Sequence, residues 1–152
     1  MMAVDFITRE AEKLFTSFTE KRCIDEYREC WNIVNDFEQR HPGFTNLKCD
    51  LNKAEEITDI VCGLFSVDIP VLSFGDWSNK SFAACCAMVE GTYYIVFINN
   101  EIIIYHFLHE LAHIISNKID KELWMEHSGI FLNILRFLYH FYMAFLGDQN
   151  GH

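Results

Sequence analysis

The segment YHFLHELAHIIS constrains this chain more than any other, because it places titratable side chains on an otherwise apolar helix. His106, His109, Glu110 and His113 fall at positions i, i+3, i+4 and i+7, and Asn117 extends the series to i+11. A buried polar stripe without partners would cost several kcal/mol. A metal ion in a wet cleft would remove that cost, so the pattern predicts a metal site. The alternative is a set of core histidines with ordinary hydrogen-bond partners.

Residues 109–113 form the motif H-E-x-x-H. Positions i and i+4 of a helix are offset by about 40° and about 6 Å of rise, so both imidazoles can bind one tetrahedral zinc ion. Glu110 can reach a water on that ion and act as its general base. His106 lies one turn earlier, and we expect it to support a ligand or to line the cleft.

A catalytic zinc site also needs a third protein ligand and an open position. The segment NKIDKELWMEHSGIF supplies four candidates: Asp120, Glu122, Glu126 and His127. We favour His127, at the start of the last predicted helix, with Glu126 as the main alternative. A thiolate from Cys85 or Cys86 is a weaker one. An oxyanion donor is required as well, and three tyrosines are candidates: Tyr105, Tyr139 and Tyr142.

The length, net charge and cysteine content limit the classes of protein to which this chain can belong. The chain has 152 residues, which suits a single domain, and a net charge of -10, which argues against direct nonspecific binding of nucleic acid. Six cysteines occur without a C-x-x-C pair, and the N-terminus lacks a secretory signal pattern. We therefore expect an intracellular protein, cytoplasmic or nuclear, with reduced core cysteines.

Periodicity predicts an α+β domain. We expect N-terminal helices within 1–66, the first over residues 5–40 with a stop at HPGF, and a small three-stranded sheet within 67–99. The second helix should have a cap at Asp50 or Asn52 and a buried face of Ala54, Ile57, Val61 and Leu64. The last two strands should form a hairpin around VEGT. The metal-binding helices should occupy 100–147, the first capped by Asn99 or Asn100 with Glu101 in its first turn, and the second ending at Gly147.

The last predicted helix, GIFLNILRFLYHFYMAFL, is apolar nearly all round. This apolar helix has three interpretations: burial in the core, a surface that binds a partner or a second copy of the chain, and association with a membrane. The run is short for a membrane span, and Asn133, Arg136 and His140 interrupt it, which argues against a membrane.

The residues FLHELAHIISNKIDKELWMEHSGIFLNIL resemble the SprT/Spartan-type and WLM-type zinc metallopeptidases, whose fold is a compact zincin-like domain. The shared pattern is H-E-x-x-H, a loop, then His-Gly-x-x-Phe at the head of another helix; here the glycine is displaced by one position. The upstream stretch FAACCAMVEGTYYIVFIN resembles the hairpin of that family. The resemblance implies zinc ligands His109, His113 and His127, a catalytic base Glu110, and a packing role for Phe131.

These observations predict a zinc-dependent endopeptidase that hydrolyses peptide bonds with a Glu-activated, zinc-bound water. The substrate should lie along an edge strand within residues 82–89. Family members often act on DNA-linked proteins, a role that the acidic charge and the absence of a basic segment do not favour. Small versions of this domain also occur in large DNA viruses and phages. The alternative is therefore a zincin-like, non-catalytic structural or interaction protein in a larger assembly, including a virion.

Overall fold

The computed structural model describes residues 24–75, 84–98, 100–121 and 129–147. In these ranges the chain is α+β, as predicted. The helices are α1 (Ile24–Arg40), α2 (Leu51–Phe65), α3 (Ile104–Ile119) and α4 (Gly129–Phe141). The strands are β1 (Lys48–Cys49), β2 (Val71–Gly75), β3 (Ala84–Val89), β4 (Thr92–Ile98) and β5 (Ile102–Ile103).

The first helix ends where HPGF predicted. α1 stops at Arg40, and Gly43 adopts a φ of 93°, a left-handed conformation that glycine tolerates. The carboxylate of Glu38 then accepts hydrogen bonds from the main-chain N–H groups of Gly43 (2.6 Å) and Thr45 (2.9 Å). Residues 5–23, also predicted as helix, lie outside the described part of the chain.

Helix α2 has the predicted N-cap and, with one exception, the predicted buried face. The side chain of Asp50 accepts a hydrogen bond from the N–H of Lys53 at 2.8 Å. The prediction that Leu64 belongs to the buried face is wrong, because Leu64 is 55% exposed. The buried stripe runs instead through Cys62 to half-buried Phe65, on a side of the helix that Leu64 does not occupy.

The predicted three strands form one sheet in the order β2-β4-β3. β2 is parallel to β4, and β3 is antiparallel to it. Glu90 (φ 50°) and Gly91 (φ 82°) form the two-residue turn between β3 and β4, which confirms the hairpin. Among the described residues β3 is an edge of this sheet, in agreement with the edge expected within residues 82–89.

The start of α3 differs from the prediction. Ile102 and Ile103 form β5, which pairs antiparallel with β1, and α3 begins at Ile104. Glu101 therefore lies before the helix and pairs with Lys48 at 2.8 Å. Asn100 has a φ of 59° and does not cap the helix, whose N-cap is Ile103 without a side-chain hydrogen bond. β-Branched isoleucines favour the extended conformation once a partner strand is available.

Helix α3 occupies the centre of the core. Its apolar residues are fully buried: Ile104, Phe107, Leu108, Leu111, Ala112, Ile114 and Ile115. α3 packs against α4 on one side and against β3 and β4 on the other. The two adjacent cysteines of β3 point to opposite faces: Cys86 faces the main core, and Cys85 faces a smaller apolar cluster.

Helix α4 continues into a π-helical turn (Tyr142–Leu146) and ends at Gly147, as predicted. One face is buried in the core: Phe131, Ile134, Leu135, Leu138 and Tyr139. The opposite face leaves Phe137 41% and Phe145 70% exposed. The stretch Gly129–Leu146 is long and apolar enough to cross a membrane by length and composition alone, which is weak evidence because core helices pass the same test.

Candidate metal centre

Helix α3 carries the polar stripe into the interior of the protein. Glu110, His113 and Asn117 are 8%, 2% and 4% exposed, whereas His106 and His109 are half-buried. The half-buried imidazoles lie toward the N-terminal part of the stripe. The stripe is therefore buried at one end and reachable from solvent at the other.

The two histidines of the motif lie side by side and share one packing partner. The ring centroids of His109 and His113 are 4.9 Å apart. The fully buried ring of Phe131, from α4, stacks on His113 at 4.4 Å and contacts His109 edge-on at 5.0 Å. Phe131 thus contacts both imidazoles from one side.

Glu110 lies against the edge strand β3. Its carboxylate is hydrogen-bonded to the thiol and to the main-chain N–H of Cys86. Burial raises the pKa of Glu110 to about 8, although the hydrogen bonds to Cys86 act in the opposite direction. Burial and the neighbouring Glu110 charge raise the pKa of Cys86 well above its ordinary value, so Cys86 remains a neutral thiol.

His106 and Tyr105 form the wall one turn before the motif. Their rings lie 4.1 Å apart. Burial lowers the pKa of His106, which favours the neutral imidazole, and burial raises the pKa of Tyr105. Tyr139 and Tyr142, the other two candidate oxyanion donors, are buried in the core, and the Tyr139 hydroxyl donates a hydrogen bond of 3.5 Å to the Tyr105 carbonyl oxygen.

Asn117 fixes the C-terminal end of α3. Its side-chain oxygen accepts a hydrogen bond from the Tyr93 hydroxyl of β4, and its amide donates to the carbonyl oxygen of Lys121 at 3.1 Å. The N–H of Asp120 donates to the main-chain carbonyl oxygen of Ser116 at 2.9 Å. Sequence reasoning placed Asn117 on the stripe but missed Tyr93, because no local pattern links a strand tyrosine to a helix 24 positions later.

The identity of the third zinc ligand stays a prediction. His127, Glu126 and Glu122 all lie within 122–128, outside the described part of the chain. Asp120 is exposed at the end of α3. Across residues 24–75, 84–98, 100–121 and 129–147, no three His, Cys, Asp or Glu side chains are grouped to hold a metal ion. Asp120 and the β3 cysteines therefore do not complete a set with His109 and His113.

The donor set suits zinc. Two imidazoles at i and i+4 on one helix face provide nitrogen ligands of the kind that zinc prefers. Half-buried His109 leaves the pair accessible to an ion, while buried His113 and Phe131 limit the movement of the rings. The carboxylate of Glu110 is buried, and within the described part of the chain no positively charged side chain lowers its pKa.

Comparison with models of protein families, with curated proteins and with solved structures finds no match to this chain. The function of the α3 stripe is therefore inferred from the chemistry and the geometry of its own residues.

Proposed function

We propose that this protein is a zinc-dependent endopeptidase of the SprT/Spartan or WLM type. One observation carries the proposal: His109 and His113 lie side by side on α3, with Glu110 buried between that helix and an edge strand. A core helix has no packing reason to bury a carboxylate beside two imidazoles. A hydrolytic metal site requires all three groups together.

Each residue has a distinct role in the proposed reaction. His109, His113 and a third residue, His127 or Glu126, would hold the ion. Zinc, when bound, supplies a Lewis acid and lowers the pKa of its water ligand to about 7. Glu110 takes a proton during attack on the peptide carbonyl and delivers it to the leaving amine. Burial raises its pKa to about 8 in the metal-free protein, and the charge of a bound zinc ion would lower that pKa and favour the carboxylate that acts as the base.

Among the described strands, β3 lies at one edge of its sheet, a position suited to binding an extended peptide. In a hairpin with a two-residue turn, the flanking residues Val89 and Thr92 form a hydrogen-bonded pair, and the pairs then alternate. The main-chain groups of Ala84, Cys86 and Met88 consequently point away from β4. The N–H of Cys86 already donates to Glu110, so a substrate strand could pair beside it through the other outward main-chain groups of this edge.

Replacement of the base tests the proposal. Glu110→Gln should retain about one zinc ion per chain by elemental analysis and lose cleavage of casein by a factor on the order of 10²–10⁴. His109→Ala should lose the metal, whereas His140→Ala, an exposed histidine of α4, should keep both metal and activity. Full activity in Glu110→Gln would end the proposal.

The same measurement identifies the third ligand. We expect His127→Ala to lower zinc content as His109→Ala does, and Glu126→Ala to leave it near the wild-type value. The reverse result would assign Glu126, and retention of zinc in both variants would exclude both residues.

A second function, a non-catalytic role in an assembly, is favoured by one observation. The rings of Phe65, Phe137, Phe141 and Phe145 form a continuous row with centroid spacings of 5.3–5.7 Å, and part of that row is exposed. Such a row is typical of a protein–protein contact. A sizing column combined with the cleavage assay separates the two roles. Bound zinc, no cleavage and a stable complex would favour the assembly.

A further inference from the structure

A buried cysteine on the edge strand contacts the proposed general base. Cys86 is fully buried, and both its thiol and its main-chain N–H are hydrogen-bonded to the carboxylate of Glu110. The buried carboxylate thus has two hydrogen-bond donors from one residue. Burial without such donors would be costly for the ionised form.

The register of the hairpin supports this contact independently. Cys86 pairs with Ile95, three pairs beyond the turn-flanking pair of Val89 and Thr92. Alternation makes this a non-hydrogen-bonded pair, so the Cys86 N–H points out of the sheet edge and not toward β4. The side chain of Cys86 faces the main core, which also contains the buried residues of α3. Strand geometry therefore leaves the Cys86 N–H unused by β4 and turns the thiol toward the core in which α3 packs, which is consistent with both groups meeting Glu110.

We propose that Cys86 is a positioning residue that fixes the Glu110 carboxylate at the edge of β3, an inference that rests on the proposed peptidase function. A glutamate side chain has three rotatable bonds, and catalysis requires its oxygen within hydrogen-bond reach of the proton that it takes. Two donors on a rigid strand restrict those rotations. A thiol suits the position because it packs as a small apolar group and still donates a weak hydrogen bond.

Cys85 provides a matched control for every measurement. It is adjacent in the same strand and equally buried, but it faces the smaller cluster with Ala87, Val96 and Ile98. Cys85→Ala therefore removes a buried thiol of the same size as Cys86→Ala does, but it leaves the contact between Cys86 and Glu110 intact.

Steady-state kinetics on the zinc-loaded protein test the role in the reaction. We expect Cys86→Ala to lower kcat about tenfold with little change in KM, because only the weak thiol donor is lost and the main-chain donor remains. Cys86→Ser should recover part of the loss, since its hydroxyl also donates. Cys85→Ala should stay within about twofold of the wild type. Equal kcat values for the wild type and Cys86→Ala would overturn the proposal.

Infrared spectroscopy of the metal-free protein tests the contact without any assay of activity. The S–H stretching band of Cys86 is identified as the difference between the wild type and Cys86→Ser. In Glu110→Ala this band should move to the frequency of a thiol without an acceptor, while the Cys85 band stays in place. An unmoved Cys86 band would refute the contact. A shifted band in a protein that cleaves no substrate would retain the contact and refute only the peptidase function.

Discussion

The buried carboxylate of Glu110 should make the metal-free protein less stable as the pH rises. Its pKa in the folded protein is about 8, against an ordinary value of 4.5, because burial disfavours the charged form. The folded state therefore binds this proton more tightly than the unfolded state does. The associated stability is fully present below about pH 4.5 and is lost as the pH rises through about 8.

The size of the effect follows from the shift. A difference of about 3.5 pH units, at about 1.36 kcal/mol per unit, corresponds to at most about 5 kcal/mol of unfolding free energy. Relaxation of the site and entry of water would reduce this value. Even half of it is a large fraction of the stability of a small domain.

Urea unfolding of metal-free protein at several pH values measures this effect. Glu110→Gln keeps the shape of the side chain and removes its titration, so the variant should match the wild type near pH 4 and exceed its stability by about 2 kcal/mol or more near pH 9. Glu55→Gln, at an exposed position of α2, is the control and should follow the wild type throughout. Parallel curves for the wild type and Glu110→Gln between pH 5 and 9 would refute the assignment of a buried, proton-binding Glu110.

Three further predictions concern the packing and the backbone conformation of the fold. Phe131→Ala removes a fully buried ring from the two imidazoles and should cost about 3–5 kcal/mol in denaturant unfolding, whereas Phe145→Ala, at a position that is 70% exposed, should stay within about 0.5 kcal/mol. Similar losses in the two variants would contradict the packing role of Phe131. Gly91→Ala should destabilise the hairpin by about 1–2 kcal/mol because Gly91 has a φ of 82°. Gly63→Ala, in the interior of α2 with open space around its Cα, should stabilise the protein by about 0.5–1 kcal/mol, and a loss of stability there would contradict the open environment.

Local features of the sequence were sufficient to predict most of the elements. The cap at Asp50, the turn at Gly91 and the end of the last helix at Gly147 each depend on residues a few positions apart. The polar stripe of α3 could be predicted for the same reason, since helical spacing alone aligns His109, Glu110 and His113.

The features that local patterns did not predict depend on contacts between distant parts of the chain. Ile102 and Ile103 leave the predicted helix because Lys48 and Cys49 offer them a partner strand, an interaction that no local pattern reveals. The sequence by itself determined which residues carry the proposed chemistry, because covalent spacing fixes their order on one helix face. Only the tertiary structure decided that Phe131 holds the imidazoles and that Cys86, not Cys85, meets Glu110, because those pairings depend on how α4 and β3 pack against α3.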